Sequence, residues 1–272
     1  MKSIAIIGQG VWGKKLTESI QKSSIRNQVE SMSSRAFLSN TPKRTFDVIW
    51  IAGRPDSQAE TLEIAQSVSK LVILEKPLGA TLNDFLRVEE LIKSANCNIG
   101  LSMPWCFSNI WLNLLERIKC WDLKGASLTF QRCGPVAHSY ISPIEDWMPH
   151  DIYLASDILS SYEEHASVRL IKKTFGECVI SLELEKEITL NFEFRVSSLK
   201  ESKLELITSS STANVDFINK KLLINGKAPK VSMSNSLDGI NRNLLAAING
   251  EASRTIQSVR TQTWMKVLID SA

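Results

Sequence analysis

The chain has 272 residues, 43% hydrophobic and 22% charged, enough for one large or two modest globular domains with their own cores. A formal charge of +3, from 32 basic and 29 acidic residues, lacks the clustered basic excess of a protein that binds nucleic acid or a membrane surface. No apolar run approaches the roughly 18–20 residues that span a bilayer, and the opening MKSIAIIGQG is too weakly apolar for a secretory signal, so a cytoplasmic location is expected.

Taken in chain order, the first elements alternate in type. Ile4–Ile7 is a continuous apolar run of the kind a buried parallel strand shows, and a helix follows Gly13 with Leu16 and Ile20 on one face. Asp47–Ala52 is a second buried run, Ala59–Val68 a helix, and Leu71–Leu74 a third run. Thr81 and Asp84 have the spacing of a capping box that opens a helix carrying Phe85, Val88 and Ile92. This rhythm predicts a doubly wound α/β domain with a parallel sheet over residues 1–120.

From residue 121 to 272 the pattern changes. Ser127–Gln131, Val168–Lys173, Val179–Glu185 and Glu187–Val196 read as strands. In the last, Ile188, Leu190, Phe192, Phe194 and Val196 alternate with Thr189, Asn191, Glu193 and Arg195, a half-buried strand with one polar face. Leu222–Ile224 leads into Asn225-Gly226, a hairpin signal, and Ser209–Ser211 reads as a turn. Strands in succession predict a mainly antiparallel sheet, and two helices close the chain, one with Leu237, Ile240, Leu244 and Ile248, the other with Trp264, Val267 and Leu268. These helices are expected to pack back across the junction, giving an α+β second domain. The five cysteines, Cys97, Cys106, Cys120, Cys133 and Cys178, form no Cys-x-x-Cys pair, which argues against a disulfide framework or a zinc site; buried or half-buried thiols are expected.

Gly8-Gln9-Gly10-Val11-Trp12-Gly13 fits G-x-G-x-x-G between a predicted strand and a predicted helix. Gly8 permits the tight turn, Gly10 lets the backbone approach a pyrophosphate, and Gly13 allows close helix–strand packing. The helix N-terminus then offers N–H groups and a favourable dipole to phosphates. At the distance where an acid binds the adenosine ribose of NAD, this chain has Ser33-Ser34-Arg35, which suit a 2′-phosphate, with Glu30 placed inside the strand. NADP is therefore favoured, with NAD as the alternative.

Glu75-Lys76-Pro77-Leu78-Gly79 follows the third apolar run, at the carboxyl end of a strand, where open α/β sheets bind ligands. Asp146-Trp147-Met148-Pro149-His150-Asp151 contains D-x-x-x-H, which on a helix puts Asp146 and His150 on one face. With the glycine turn, these segments resemble the Gfo/Idh/MocA oxidoreductases, the glucose–fructose oxidoreductase and inositol dehydrogenase family, along nearly the whole chain. The resemblance implies a Rossmann domain followed by a domain with an open, mainly antiparallel sheet. It also implies catalytic roles: Lys76 near the reacting oxygen, His150 as proton donor or acceptor, and Asp146 supporting that transfer. Arg54 and Glu75 are expected beside the cofactor, and Trp105, Trp111 and Trp147 are candidates for an apolar wall against a sugar ring, set against ordinary core packing.

His138 and His165 read as surface residues, and Asp151 and Asp157 as capping or lining the same helix. The chain departs from the family pattern in its shortness, in Gln58 where many relatives carry histidine, in the lack of arginine in Ser102–Cys106, and in Met148-Pro149 within the second motif. The expected activity is hydride transfer between a nicotinamide and an alcohol or ketone of a sugar, nucleotide sugar or cyclic polyol. The alternatives are reduction of a C=N or C=C bond in a secondary metabolite or pigment, and a non-catalytic dinucleotide-binding sensor or partner subunit. The expected partner is a small-molecule substrate; association into a homo-oligomer stays open, since the polar face of Glu187–Val196 suits either solvent or a polar interface.

Overall fold

The computed structural model describes residues 2–23, 27–135, 143–159, 166–174, 176–184, 187–229 and 236–249. They form two compact units, one from residues up to Phe107 with the helix Ser236–Ile248, the other from Ser108 up to the chain segment before that helix. His138, His165 and the expected helix around Trp264 lie outside the described residues.

In the first unit, β1 (Lys2–Ile7), α1 (Val11–Gln21), β2 (Asn27–Met32), α2 (Ser34–Ser39), β3 (Val48–Ile51), α3 (Gln58–Val68), β4 (Leu71–Leu74), α4 (Leu82–Lys93) and β5 (Asn98–Leu101) follow one another, α2 and β5 being additions to the elements the pattern predicts. All pairings are parallel, in the order β2-β1-β3-β4-β5. The direction of winding reverses at β1, so the crevice between the carboxyl ends of β1 and β3 is the switch point where such sheets take ligands. Ile4, Ile6, Val48, Trp50 and Ile73 on one face of the sheet pack with Leu16 and Ile20 of α1 and with Ile240, Leu244 and Ala247 of Ser236–Ile248. Thr81 Oγ1 accepts from Asp84 N at 3.2 Å while Asp84 Oδ2 accepts from Thr81 N at 3.0 Å, so the expected capping box opens α4.

The second unit contains α5 (Asn109–Ile118), β6 (Ser127–Gly134), α6 (Pro143–Ile158), β7 (Ala166–Lys173), β8 (Glu177–Leu184), β9 (Thr189–Val196), β10 (Glu201–Ile207), β11 (Thr212–Asp216) and β12 (Lys221–Ile224); Ser236–Ile248 is then α7. Its sheet runs β12-β11-β10-β6-β9-β8-β7, antiparallel throughout except for the parallel pair β6–β9. Leu190, Phe192 and Phe194 of β9 are buried with Leu128 and Phe130 of β6 on the face that α6 covers, and the Phe130 and Phe192 rings stack at 5.5 Å. The opposite face is polar: Gln131 donates to Glu193 at 2.8 Å, and Ser181 to Asn191 at 2.9 Å. Asn225 and Gly226 both take positive φ, 49° and 74°, the two-residue turn their sequence calls for.

The division differs from a boundary at residue 120. Ser108 caps α5, whose Ile110, Trp111, Leu114 and Ile118 are buried in the second unit, with Trp111 against Phe217. The apolar stripe of α5 therefore commits residues 109–118 to the second unit. Conversely α7 joins the first unit, where buried Asn243 accepts from Met103 N at 2.8 Å and pins the chain as it leaves β5. Cys120 is exposed, unlike the other described thiols, which are buried or half-buried as expected. Among the described residues no helix is long and apolar enough to cross a membrane.

Candidate active site

The glycine turn lies at the switch point. Gly8 has φ +130°, and a Cβ there would meet Ala52 O at 2.3 Å; a Cβ on Gly13 would meet Gly8 O at 1.9 Å. Both glycines are thus required by close backbone packing among β1, β3 and α1. Gly10 differs: nothing lies within 4 Å of its Cβ position, so space is left above the turn. Gly10 is also the N-cap of α1, and no side chain caps that helix. The first-turn N–H groups of a helix have no partners within it, so this end presents Val11, Trp12 and Gly13 N–H groups and the positive end of the dipole to whatever occupies the space. Gln9 folds away from it, its Nε2 donating to Ser31 O at 3.2 Å.

The tip of β2 carries Ser33, Ser34 and Arg35. Ser33 caps α2, its Oγ accepting from Ala36 N at 3.1 Å, and Arg35 is exposed. Ser34 Oγ packs within 2.5 Å of where a Cβ on Gly53 would sit, so the absence of a side chain at Gly53 draws the β2 tip to the exit of β3. Glu30 lies inside β2, as expected, and is paired with Arg44, whose guanidinium sits 4.9 Å over the Phe46 ring. Arg54, exposed just after β3, is held by Asp56 through Nη2–Oδ2 at 2.7 Å and Nε–Oδ1 at 3.2 Å.

The Glu75-Lys76-Pro77 segment leaves the carboxyl end of β4, with a cis Lys76–Pro77 peptide. Glu75 is buried, its Oε1 accepting from Trp50 Nε1 at 3.0 Å. Burial pushes its carboxyl above the usual range, against the hydrogen-bonding side chains of Ser102, Trp12 and Trp50 and the charge of Lys76, which pull it down. Lys76 itself is half-buried. Gln58, the first residue of α3, donates to both Glu75 O and Pro77 O, at 2.8 and 2.9 Å. The sequence marks Gln58 only as a departure from a pattern; no periodicity announces a buried amide at that position. Trp105 is half-buried in the turn Pro104–Phe107 of the same unit.

In the second unit, Asp146 and His150 fall one turn apart in α6, so they share a helix face, and both are half-buried. Pro149 is inside the helix, where it removes one N–H beside His150. Trp147 is half-buried, tilted against Phe194 at 6.4 Å. Asp151 is in the middle of α6, so it does not cap it; both its oxygens bind Arg132 of β6, at 2.6 and 2.7 Å, with side-chain exposures of 12% for Arg132 and 2% for Asp151. Asp157 accepts from Trp111 Nε1 at 2.7 Å. Trp111 is therefore core, fully buried and hydrogen-bonded, and is removed from the candidates for a sugar-facing wall. Arg132 had one signal in the sequence: it follows Leu128 and Phe130 on the buried face of its strand, where a cation needs a buried partner.

No model of a known protein family matches the sequence, and no curated protein matches it. Solved structures do match the fold. The UDP-N-acetylglucosamine 3-dehydrogenase of Acidithiobacillus ferrooxidans has a TM-score of 0.76 at 14% identity, over 100% of this chain and 97% of its own. An oxidoreductase from Agrobacterium radiobacter, solved with NAD+, L-tartaric acid and magnesium, has a TM-score of 0.73 at 13% identity, over 100% and 95%. The scyllo-inositol dehydrogenase of Lactobacillus casei has a TM-score of 0.71 at 14% identity, over 100% and 95%. Such neighbours are Gfo/Idh/MocA-type oxidoreductases, and the chain has their two-domain fold: a parallel Rossmann-like sheet with helices and a second, mixed sheet.

Proposed function

We propose that the chain is a nicotinamide-dinucleotide oxidoreductase acting on an alcohol–ketone pair of a sugar, nucleotide sugar or cyclic polyol, with NADP preferred to NAD. The observation that carries the reading is Gly10: an open Cβ position over a helix N-terminus that no side chain caps, at the switch point of a parallel sheet. The Gly8–Gly13 turn would hold the pyrophosphate, Arg54 and Glu75 would flank the dinucleotide, and Ser33, Ser34 and Arg35 would hold a 2′-phosphate. Two things support the NADP preference. The acid nearest the β2 tip, Glu30, is already paired with Arg44, and the tip itself carries hydroxyls and a guanidinium.

The dinucleotide supplies or takes the hydride when bound. Lys76 would place its ammonium where negative charge develops on the reacting oxygen. His150 would give or take the hydroxyl proton, with Asp146 on the same helix face to orient it. Trp105 and Trp147 are half-buried and would offer ring faces to a sugar. The substrate class draws support from two structural neighbours, whose names give a nucleotide sugar and a cyclic polyol as what they oxidise.

The test is a titration of the protein with NADPH and NADH followed by nicotinamide fluorescence, then an oxidation screen over polyols and nucleotide sugars. NADPH should bind more tightly, and Arg35→Ala should weaken NADPH at least tenfold while leaving NADH within about twofold, as loss of one charge-assisted contact predicts. Equal loss for both removes the 2′-phosphate argument. Binding of neither nucleotide removes the reading.

A further inference from the structure

We propose that Gln58 is the positioning residue for Lys76, an inference that rests on the reading of Lys76 as the group that meets the reacting oxygen. Its side-chain nitrogen carries two hydrogens, and these go to the carbonyls of Glu75 and Pro77, at 2.8 and 2.9 Å, the residues on either side of Lys76. The amide thus grips the backbone immediately before and after the lysine.

The rest of the segment is fixed as well. Glu75 N donates to Ile51 O at 3.1 Å and the Glu75 carboxylate takes the Trp50 indole N–H at 3.0 Å. Leu78 is buried, and Gly79 lies so close to α4 that a Cβ would meet Phe85 N at 2.4 Å. Residues 75 and 77–79 are therefore held on both sides of half-buried Lys76.

Gln58 is not explained by its own satisfaction. It is fully buried at the start of α3, and its Oε1 has no hydrogen-bond partner. A residue retained only to tie α3 to the turn would not leave a buried acceptor unmatched, since buried polar groups are almost always paired. What the amide alone provides is two donors from one atom. A neutral imidazole has one N–H, and a carboxylate has none. Placing a catalytic group within a fraction of an ångström is worth large factors in rate, so a device that spends both hydrogens on the two neighbours of one lysine fits that purpose.

The test compares the wild-type protein with Gln58→Met, which removes both donors at similar volume, Gln58→His, which keeps one, and Lys76→Ala. Lysines are reductively methylated with 13C, and the Lys76 resonance is identified by its absence in Lys76→Ala. NADPH affinity is read by nicotinamide fluorescence, and kcat and KM on the substrate from the oxidation screen. In Gln58→Met the Lys76 resonance should move towards that of the solvent-exposed lysines and broaden. NADPH affinity and KM should stay within about twofold while kcat falls on the order of 100-fold, with Gln58→His intermediate. An unchanged Lys76 resonance in Gln58→Met overturns the proposal, as does full kcat in a Gln58→Met protein whose Lys76→Ala counterpart is inactive. If Lys76→Ala retains turnover, the catalytic reading of Lys76 fails separately, and the resonance alone decides whether Gln58 positions it. Should Gln58→Met not fold, the resonance and kcat of Gln58→His decide, with wild-type values for both overturning the proposal.

Discussion

In the parallel-sheet unit the candidate groups are set by backbone: two glycines, Gly8 and Gly13, that let β1, β3 and α1 approach, a helix N-terminus at Gly10 that no side chain caps, and two carbonyls gripped by Gln58. In the antiparallel unit they are set by side chains: Asp146 and His150 stand on a helix fastened to its sheet by the buried Arg132–Asp151 pair and to α5 by the Trp111–Asp157 bond. The glycine turn is local in sequence, because consecutive residues make it. Side-chain sites depend on partners 19 and 46 residues away. Gly8 and Gly13 tolerate no added atom, and the buried Arg132–Asp151 pair tolerates no lost charge.

The sharpest way to break this contrast is to remove one charge from the second unit. Arg132→Met leaves the Asp151 carboxylate buried without its counter-ion and should cost about 3–5 kcal/mol, read from the urea midpoint. The double replacement Arg132→Met with Asp151→Leu should recover most of that, since two apolar side chains of similar volume can replace a buried pair. A single-variant loss under about 1 kcal/mol would mean that the pair does not hold α6 to the sheet.

A smaller effect separates fold from ligand within the first unit. Gly13→Ala puts a methyl 1.9 Å from Gly8 O and should destabilise by about 1–3 kcal/mol or more. Gly10→Ala meets nothing within 4 Å, at φ −68°, and should change stability by no more than about 1 kcal/mol, the loss expected for alanine at an N-cap. Yet it should lower NADPH affinity more than tenfold, because the methyl fills the space left for a pyrophosphate. Gly10→Ala with full affinity would show that the open position is not where a ligand approaches.

The same contrast decides what was legible in the sequence. The glycine turn, the capping box at Thr81 and the strands Leu71–Leu74 and Glu187–Val196 follow from short-range patterns, and the structure has them there, with the last strand starting two residues later at Thr189. The boundary between units was not legible, because α5 is apolar enough to join either core and only its packing, Trp111 on Phe217 and Asp157, chooses one. Gln58 and Asn243 were not legible as buried polar groups for a similar reason. Each is defined by carbonyls or N–H groups it meets in space, 17 to 19 residues away for Gln58 and 140 for Asn243. Arg132 was half legible, as a cation at an apolar position whose partner only the fold supplies.

The smallest expected effect concerns Glu75, the one charged side chain in the otherwise backbone-built site that is buried. Burial raises its carboxyl above the usual range more than the indoles of Trp12 and Trp50, the Ser102 hydroxyl and the Lys76 charge lower it. The folded state therefore holds the proton more tightly than the unfolded chain does. The stability linked to that proton is fully present below the ordinary carboxylate pKa and is lost as pH rises through the raised value. Glu75→Gln keeps an oxygen to accept from Trp50 Nε1 and cannot ionise, so it has no such loss. Relative to wild type, the variant should gain stability as pH rises above the ordinary carboxylate pKa, read as a growing difference in Tm between the two proteins. Parallel Tm–pH curves for the two proteins would mean that the Glu75 carboxyl is not raised, with Lys76 and the indole donors offsetting burial. The ammonium of Lys76 would then be partly neutralised from below, and the proposal that it stabilises developing negative charge would be correspondingly weaker.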